Sequence, residues 1–174
     1  MIIKNVRGDW VSIFEPNKKG KYAVCAILPN NHPQMAKIEE AIENAVQKGV
    51  ADGKFTQAQT KSANFKRPLR DGTKEVETGE KPGHYSGHMF LNANNNDAPG
   101  VVGPDAEPLM SKDGVFSGSY FHVDIGFFPF SRDGNRGIGC GLNNVMFVKE
   151  GERLDGRQSA EQAFAGMRVE DDLQ

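Results

Sequence analysis

The 174-residue sequence holds only two cysteines, Cys25 and Cys140, and four histidines. Two thiols cannot staple a small fold or build a cysteine metal site, and both lie in apolar strand-like runs, so they read as reduced core residues. No run approaches the roughly 18 apolar residues of a membrane span, and Met1-Ile2-Ile3-Lys4-Asn5 lacks the continuous apolar stretch of a signal peptide. A soluble, cytoplasmic protein with no membrane partner is expected. An excess of charge of one sign is missing too: 21 Lys and Arg stand against 23 Asp and Glu, a formal net of −2, which on its face speaks against nucleic acid. Gly137-Ile138-Gly139-Cys140-Gly141 lacks the GK[ST] ending of a phosphate loop and no helix follows it, which excludes a nucleotide site of that kind. Neither cysteine has a visible base to activate it, so nucleophilic catalysis has no anchor. The reading is of a non-enzymatic protein with no cofactor.

Fifteen aromatics, eleven Phe, three Tyr and Trp10, are enough to build one core at this length. The charge is unevenly spread. Residues 1–149 carry a net +2 and residues 150–174 a net −4, and the stretch 54–74 holds Lys54, Lys61, Lys66, Arg67, Arg70 and Lys74 against Asp71 alone. The acidity is therefore a property of the C-terminus, and the body contains a cationic segment. The expected division is a domain over 1–156, followed over 157–174 by a short helix and a flexible acidic tail.

Along the chain, Trp10 to Phe14 alternates as a strand, Pro16 to Gly20 has hairpin composition, and Lys21 to Leu28 reads as a buried second strand. From Pro33 to Lys48 the period becomes helical, with Met35, Ile38, Ile42, Ala45 and Val46 on one face, Asn31 as cap and Gly49 as stop. Residues 50–86 show no sustained period beyond a short helix near 56–62. Tyr85 to Ala93 returns to strand, Asn92 to Asn96 reads as a turn, and Pro99 to Leu109 as a small hairpin or irregular loop. Phe121, Val123, Ile125 and Phe127 make the core face of a long strand whose other face carries Tyr120, His122, Asp124, Phe128 and Phe130. After the Asp133-Gly134 turn, a last strand over 136–148 sets Ile138, Cys140, Leu142, Met146 and Val148 against the bare Gly137, Gly139 and Gly141, a pattern that marks close approach by a backbone or ligand. Five or six strands with one helix inserted after the second suit a mainly β fold, a five-stranded Greek-key barrel with long loops.

Cations for phosphates and aromatic faces for bases are the ingredients of sequence-independent single-strand binding. Lys18, Lys19 and Lys21 sit at the first hairpin, Lys66, Arg67 and Arg70 follow Phe65, and Arg132 and Arg136 flank the turn after Phe128 and Phe130. Trp10, Phe14, Tyr22, Tyr120, Phe128 and Phe130 are the stacking candidates, Tyr120 first because it lies opposite the Phe121 face, and Phe65 is counted with the binding surface. A rival reading takes His84, His88, His122 and Asp124 as a metal-dependent hydrolase centre. A second rival takes the aromatics as a subunit interface of a phage structural or assembly protein.

Four ordered motifs carry a resemblance: Lys66-Arg67-Pro68-Leu69-Arg70-Asp71-Gly72, Gly87-His88-Met89-Phe90-Leu91-Asn92-Ala93, Pro99-Gly100-Val101-Val102, and Phe128-Pro129-Phe130 through Gly134-Asn135-Arg136-Gly137-Ile138 to Gly141-Leu142-Asn143-Asn144-Val145. Together they resemble a family of bacteriophage single-stranded-DNA-binding proteins over most of the chain, from Trp10 to Glu161. The resemblance implies an OB-fold barrel, no catalysis, and a role in phage DNA replication or recombination in the bacterial host cytoplasm. It also implies that Glu170, Asp171, Asp172 and Leu173 form a tail that docks phage or host replication proteins, although the chain ends Leu173-Gln174 where many such tails end in an aromatic. A mobile acidic tail could also occupy the cationic groove until DNA displaces it, and a homodimer is compatible with the pattern.

Overall fold

The computed structural model describes residues 1–156, 160–167 and 169. Strand β1 runs over Ile2–Ser12, β2 over Tyr22–Pro29, helix α1 over Met35–Ala51, β3 over Leu69–Asp71, α2 over Gly72–Glu77, β4 over His88–Asn95, β5 over Gly100–Val102, β6 over Tyr120–Arg132, β7 over Asn135–Lys149 and α3 over Ala160–Ala163. Single 3-10 turns occupy Gln59–Lys61 and Gly83–Tyr85.

Antiparallel pairing joins β1 to β2, β2 to β4, β6 to β7 and β1 to β6, and a parallel contact of Asn94 with Gly141 closes β4 onto β7. The closed order β1-β2-β4-β7-β6 is a five-stranded Greek-key barrel of the OB type, with β3 and β5 added at the margins. Ile3, Val6, Val24, Ala26, Leu28, Leu91, Ala93, Phe121, Val123, Ile125, Cys140, Leu142 and Val145 fill it, and α1 sets Ile38 and Ile42 against that core.

The first strand begins eight residues earlier than its alternation suggests. Two register shifts in β1, between Ile3 and Val6 and between Asp9 and Ser12, coincide with Asn5 and Trp10 at φ 56° and 49°. Each bulge inserts a residue, so Ile3 and Val6 both face the core three positions apart and the period of two is lost. The same physics corrects β7. A shift opposite Asp124 and Ile125 leaves Asn143 extra, so Val145 and Phe147 turn inward in place of the expected Met146 and Val148.

Helix α1 does not stop at Gly49. A Cβ there would lie 2.2 Å from the Phe55 ring, so this glycine is a packing residue inside the helix, which ends at Ala51 before Gly53 at φ 75°. Its first turn carries no side-chain cap, Gln34 standing at that position instead of Asn31. Helix α2, unannounced by any periodicity, is capped by Asp71, whose carboxylate accepts from the N–H groups of Thr73 and Lys74. Asn92 to Asn95 belong to β4 and are not a turn.

Candidate nucleic-acid interface

Pairing partners across a sheet share a face. The register of the barrel therefore defines one continuous outward row, Ser12, Ala23, Asn94, Gly141 and Gly126, with Asp9, Cys25 and Asn92 in a parallel row beside it. The segment 69–85 folds over part of this surface. It lays Tyr85 onto Cys25, Ile27 and Phe90, with Val76 and Leu154 alongside. What stays open is a floor of small and amide side chains: Ala23, Asn92, Asn94, Gly126 and Gly141.

Two exposed aromatic rings stand on the strands that flank this floor, Trp10 beside the covering segment, where it lines a cavity with Glu80, Lys81, Pro82 and Tyr85, and Phe128 on β6. Trp10, on β1, is 73% exposed. Phe128, on β6, is 49% exposed, and its ring lies over Gly139, where an added Cβ would come within 2.4 Å of it. The bare glycine face is thus occupied at Gly139 by a ring and at Gly137 by a backbone: Lys66 N–H donates to the Arg136 carbonyl and Ile138 N–H to the Lys66 carbonyl, both at 2.9 Å. Followed around the outside through β2, β4 and β7, the four strand steps from β1 to β6 make a path of roughly 19 Å at about 4.8 Å per step, while on the other side of the barrel the two strands pair directly.

Cations gather at the Phe128 end. Lys54, Lys66 and Arg132 line a groove of about 560 Å³ with Phe128, Pro129 and Phe130, and among the described residues none of the three forms a salt bridge. Arg136 is half-buried beside them and pairs with Ser131 across the hairpin. Lys18 and Lys19 are exposed on the β1–β2 loop, and Lys21 donates to Asn96 at the end of β4. Tyr22 is half-buried opposite Asn95 at the same end of the sheet.

Other residues singled out by sequence lie elsewhere. Phe65 is 9% exposed and meets Phe55 edge-on at 5.0 Å, so its ring is part of the packing beneath α1 and offers no open face. Arg67 lies over Phe65 and 3.6 Å from Glu43. Arg70 is held in two hydrogen bonds by Glu75 and lies over Phe90. Tyr120 stands at the far end of β6, ten residues or about 33 Å from Phe130, between Arg7 at 5.9 Å and Lys149 at 5.1 Å. Glu170, Asp171, Asp172 and Leu173 lie outside the described residues.

Trp10 depends on a buried carboxylate that sequence reading passed over. Asp9 is only 7% exposed. One of its oxygens accepts the Trp10 N–H at 2.9 Å, and the other accepts the Tyr85 hydroxyl at 2.6 Å, with His84 Nε2 3.6 Å away. A bulky residue at positive φ is strained, and this hydrogen bond holds the strain in place. Burial chiefly, with the Asp9 hydrogen bond adding, pushes the Tyr85 hydroxyl far above its ordinary range. Burial likewise raises the thiols, Cys25 to about 11 and Cys140 to about 12, and both are free.

The residues weighed for a hydrolase are dispersed. His84 sits beside Asp9, His88 hydrogen-bonds the Ser86 carbonyl, and His122 Nδ1 accepts from Asn5 N–H at the start of β1. Among the described residues no group of three His, Cys, Asp or Glu is gathered as a metal site. No helix among them is long and apolar enough to cross a membrane.

A family model described as "Enterobacter phage Enc34, ssDNA-binding protein" matches residues 1–174. The chain belongs to this phage ssDNA-binding family. Protein p50 of Acyrthosiphon pisum secondary endosymbiont phage 1 is 24% identical over 163 residues, covering 88% of this chain and 85% of that protein. Among solved structures, the single-stranded DNA-binding protein from bacteriophage Enc34 superposes with a TM-score of 0.70 at 19% identity, over 94% of this chain and 88% of that one. The same phage protein in complex with ssDNA gives 0.69 over 88% of each chain. Bacteriophage T7 gp2.5, a single-stranded DNA-binding protein, gives 0.65 at 13% identity over 91% of this chain and 97% of that one. These likenesses carry the fold, and the Enc34-type family membership carries the class of protein.

Proposed function

We propose that this member of the Enc34-type family binds single-stranded DNA without sequence preference along the outer face of β2, β4 and β7, with Trp10 and Phe128 stacking on bases at either end. The observation that carries the reading is the exposed Phe128 ring beside the cations Lys54, Lys66 and Arg132, next to an open floor of small and amide side chains, with Trp10 exposed on β1. In the OB architecture this face, with the β1–β2 loop and the last hairpin beside it, is the usual oligonucleotide surface. Lys18, Lys19 and Lys21 lie on that loop and Arg132 and Arg136 on that hairpin. All five are assigned to phosphate contact. Arg67, Arg70 and Phe65, engaged in their own packing, are left out of the interface. Tyr120 is left out as well, because it stands at the far end of β6. Binding of this kind serves phage DNA replication or recombination by covering exposed strands, and the acidic residues Glu170 to Leu173 are the segment proposed to contact replication proteins.

The test is a fluorescence titration of the full chain with oligo-dT over a salt series, beside a duplex of equal length. Quenching of Trp10 and a log affinity that falls by about 0.7 per phosphate neutralised for each log unit of salt are expected. Equal affinity for duplex and single strand would overturn the reading.

A further inference from the structure

The run Asn92, Asn94, Asn95 and Asn96 divides in two. Asn95 is used by the fold: its Nδ2 donates to the Leu142 carbonyl and its Oδ1 accepts from Asp97 N–H. Asn96 accepts from Lys21. Asn92 and Asn94 are exposed in the middle of β4, and among the described residues neither amide makes a hydrogen bond. Asparagine is disfavoured inside strands, where β-branched and aromatic side chains pack better. Two of them at alternate positions of a barrel strand, both pointing away from the core, contribute nothing visible to folding.

Their place in the register is specific. Asn92 is opposite Cys25 and Asn94 opposite Ala23, and Asn94 also contacts Gly141 of β7. Their immediate surroundings are therefore small side chains, and both amides belong to the open floor of the outer face. No lysine or arginine occurs in these two rows; the cations lie on the β1–β2 loop and at the hairpin.

We infer that Asn92 and Asn94 hydrogen-bond to the edges of bases, so that a bound strand lies with its bases on the floor and its phosphates toward the cationic margins. A side-chain amide offers one acceptor and two donor hydrogens side by side. Each of the four bases presents a donor beside an acceptor on its pairing edge, so one amide can satisfy any of them by rotating. Such a contact adds affinity without reading sequence. It is neutral on both sides and leaves the salt dependence to the lysines and arginines.

This inference rests on the single-strand reading above, and the experiment separates the two. Full-length protein and the N92V/N94V double variant, which keeps strand-forming side chains at both positions, are titrated with oligo-dT and with an oligonucleotide of equal length whose central nucleotides are abasic. N92A/N94A repeats the measurement should valine disturb the fold, and thermal melting reports on both. A loss on the order of tenfold on oligo-dT is expected from two neutral hydrogen bonds, with an unchanged salt slope and no difference between variant and parent on the abasic strand. An equal loss on the abasic strand would place the amides on the sugar-phosphate backbone and overturn the inference, as would no loss on either. Failure of the parent protein to bind oligo-dT at all would overturn the single-strand reading itself.

Discussion

Replacing Gly137 by alanine tests the seam on which the cationic groove depends. A Cβ at this position would lie 2.2 Å from the Lys66 carbonyl oxygen and 2.9 Å from its carbonyl carbon. Both are backbone atoms, so no rotamer change relieves the overlap. Either β7 is displaced or the Lys66 segment leaves it. The second course forfeits two hydrogen bonds of 2.9 Å, Lys66 N–H to the Arg136 carbonyl and Ile138 N–H to the Lys66 carbonyl, at about 1 kcal/mol each. It also loosens Phe65, the next residue, from its edge contact with Phe55. Strain in a packed site typically costs about 1–3 kcal/mol, so with the lost hydrogen bonds a total near 3–5 kcal/mol is expected. At roughly 2–4 °C per kcal/mol for a chain of this size, the melting temperature falls by about 6–20 °C. Displacing the Lys66 segment also takes this lysine out of the groove, and the salt slope on oligo-dT drops by about 0.7. For melting, Gly126→Ala is the control, since the nearest atom to its added Cβ is 3.9 Å away, and an alanine in a strand gains about 0.5–1 kcal/mol over glycine. The assays are thermal melting by circular dichroism and the fluorescence salt series. Wild-type melting of Gly137→Ala, or an equal loss in Gly126→Ala, would refute the argument.

Phe128→Ala lowers affinity for oligo-dT by roughly 5- to 150-fold, equivalent to one stacked base at about 1–3 kcal/mol, while its half-exposed ring leaves melting nearly unchanged; unaltered affinity removes Phe128 from the interface. Lys66→Ala reduces the salt slope by about 0.7, whereas Arg70→Ala leaves it intact because Glu75 already holds the Arg70 guanidinium; the reverse ranking would move the DNA track to the β3 side. Tyr85→Phe removes the hydroxyl that donates to the buried Asp9 carboxylate and costs about 1–3 kcal/mol, read as a lower urea midpoint, together with a shift in Trp10 emission as its backbone anchor loosens. The two thiols make the fold alkali-sensitive. Their folded pKa values, about 11 for Cys25 and about 12 for Cys140, exceed the unfolded value of 9.0, so the native state keeps protons that the unfolded chain releases. The stability they contribute is full below pH 9 and declines by about 1.4 kcal/mol per pH unit per thiol as pH rises toward those values. Cys140→Ala flattens the fall in urea midpoint above pH 9, and an unchanged slope would count against the thiols as its cause.

The barrel was legible where side chains alternate without interruption. The inward face of Phe121, Val123 and Ile125 follows directly from a period of two, the continuous apolar run from Val24 to Leu28 marks a strand buried on both faces, and the helical spacing of Ile38, Ile42 and Val46 locates α1. It was illegible wherever one residue is inserted. Asn5, Trp10 and Asn143 each shift the phase of a strand, and a phase shift looks, in sequence, like the end of a strand or a face assigned backwards. Local chemistry also hides in residues whose role is set by a distant partner: Asp71 caps a helix too short to show a period, and Asp9 meets Tyr85 from 76 positions away.

The same two limits shaped the reading of the interface. Charge and aromaticity point to cations and rings as a class but do not distinguish a ring or cation that faces solvent from one already engaged. Phe65 and Phe128 each lie close to cationic side chains in sequence, and only the packing beneath α1 on one side and the bare Gly139 on the other separates core from platform. The glycines were the more informative signal, because a strand does not give up three alternate side chains without something occupying their place. At Gly137 the occupant is the backbone of the residue that carries the Lys66 cation, and at Gly139 it is the ring of Phe128. Those two glycines thus seat the Lys66 segment and the Phe128 ring side by side against β7, the two groups proposed above for phosphate contact and stacking.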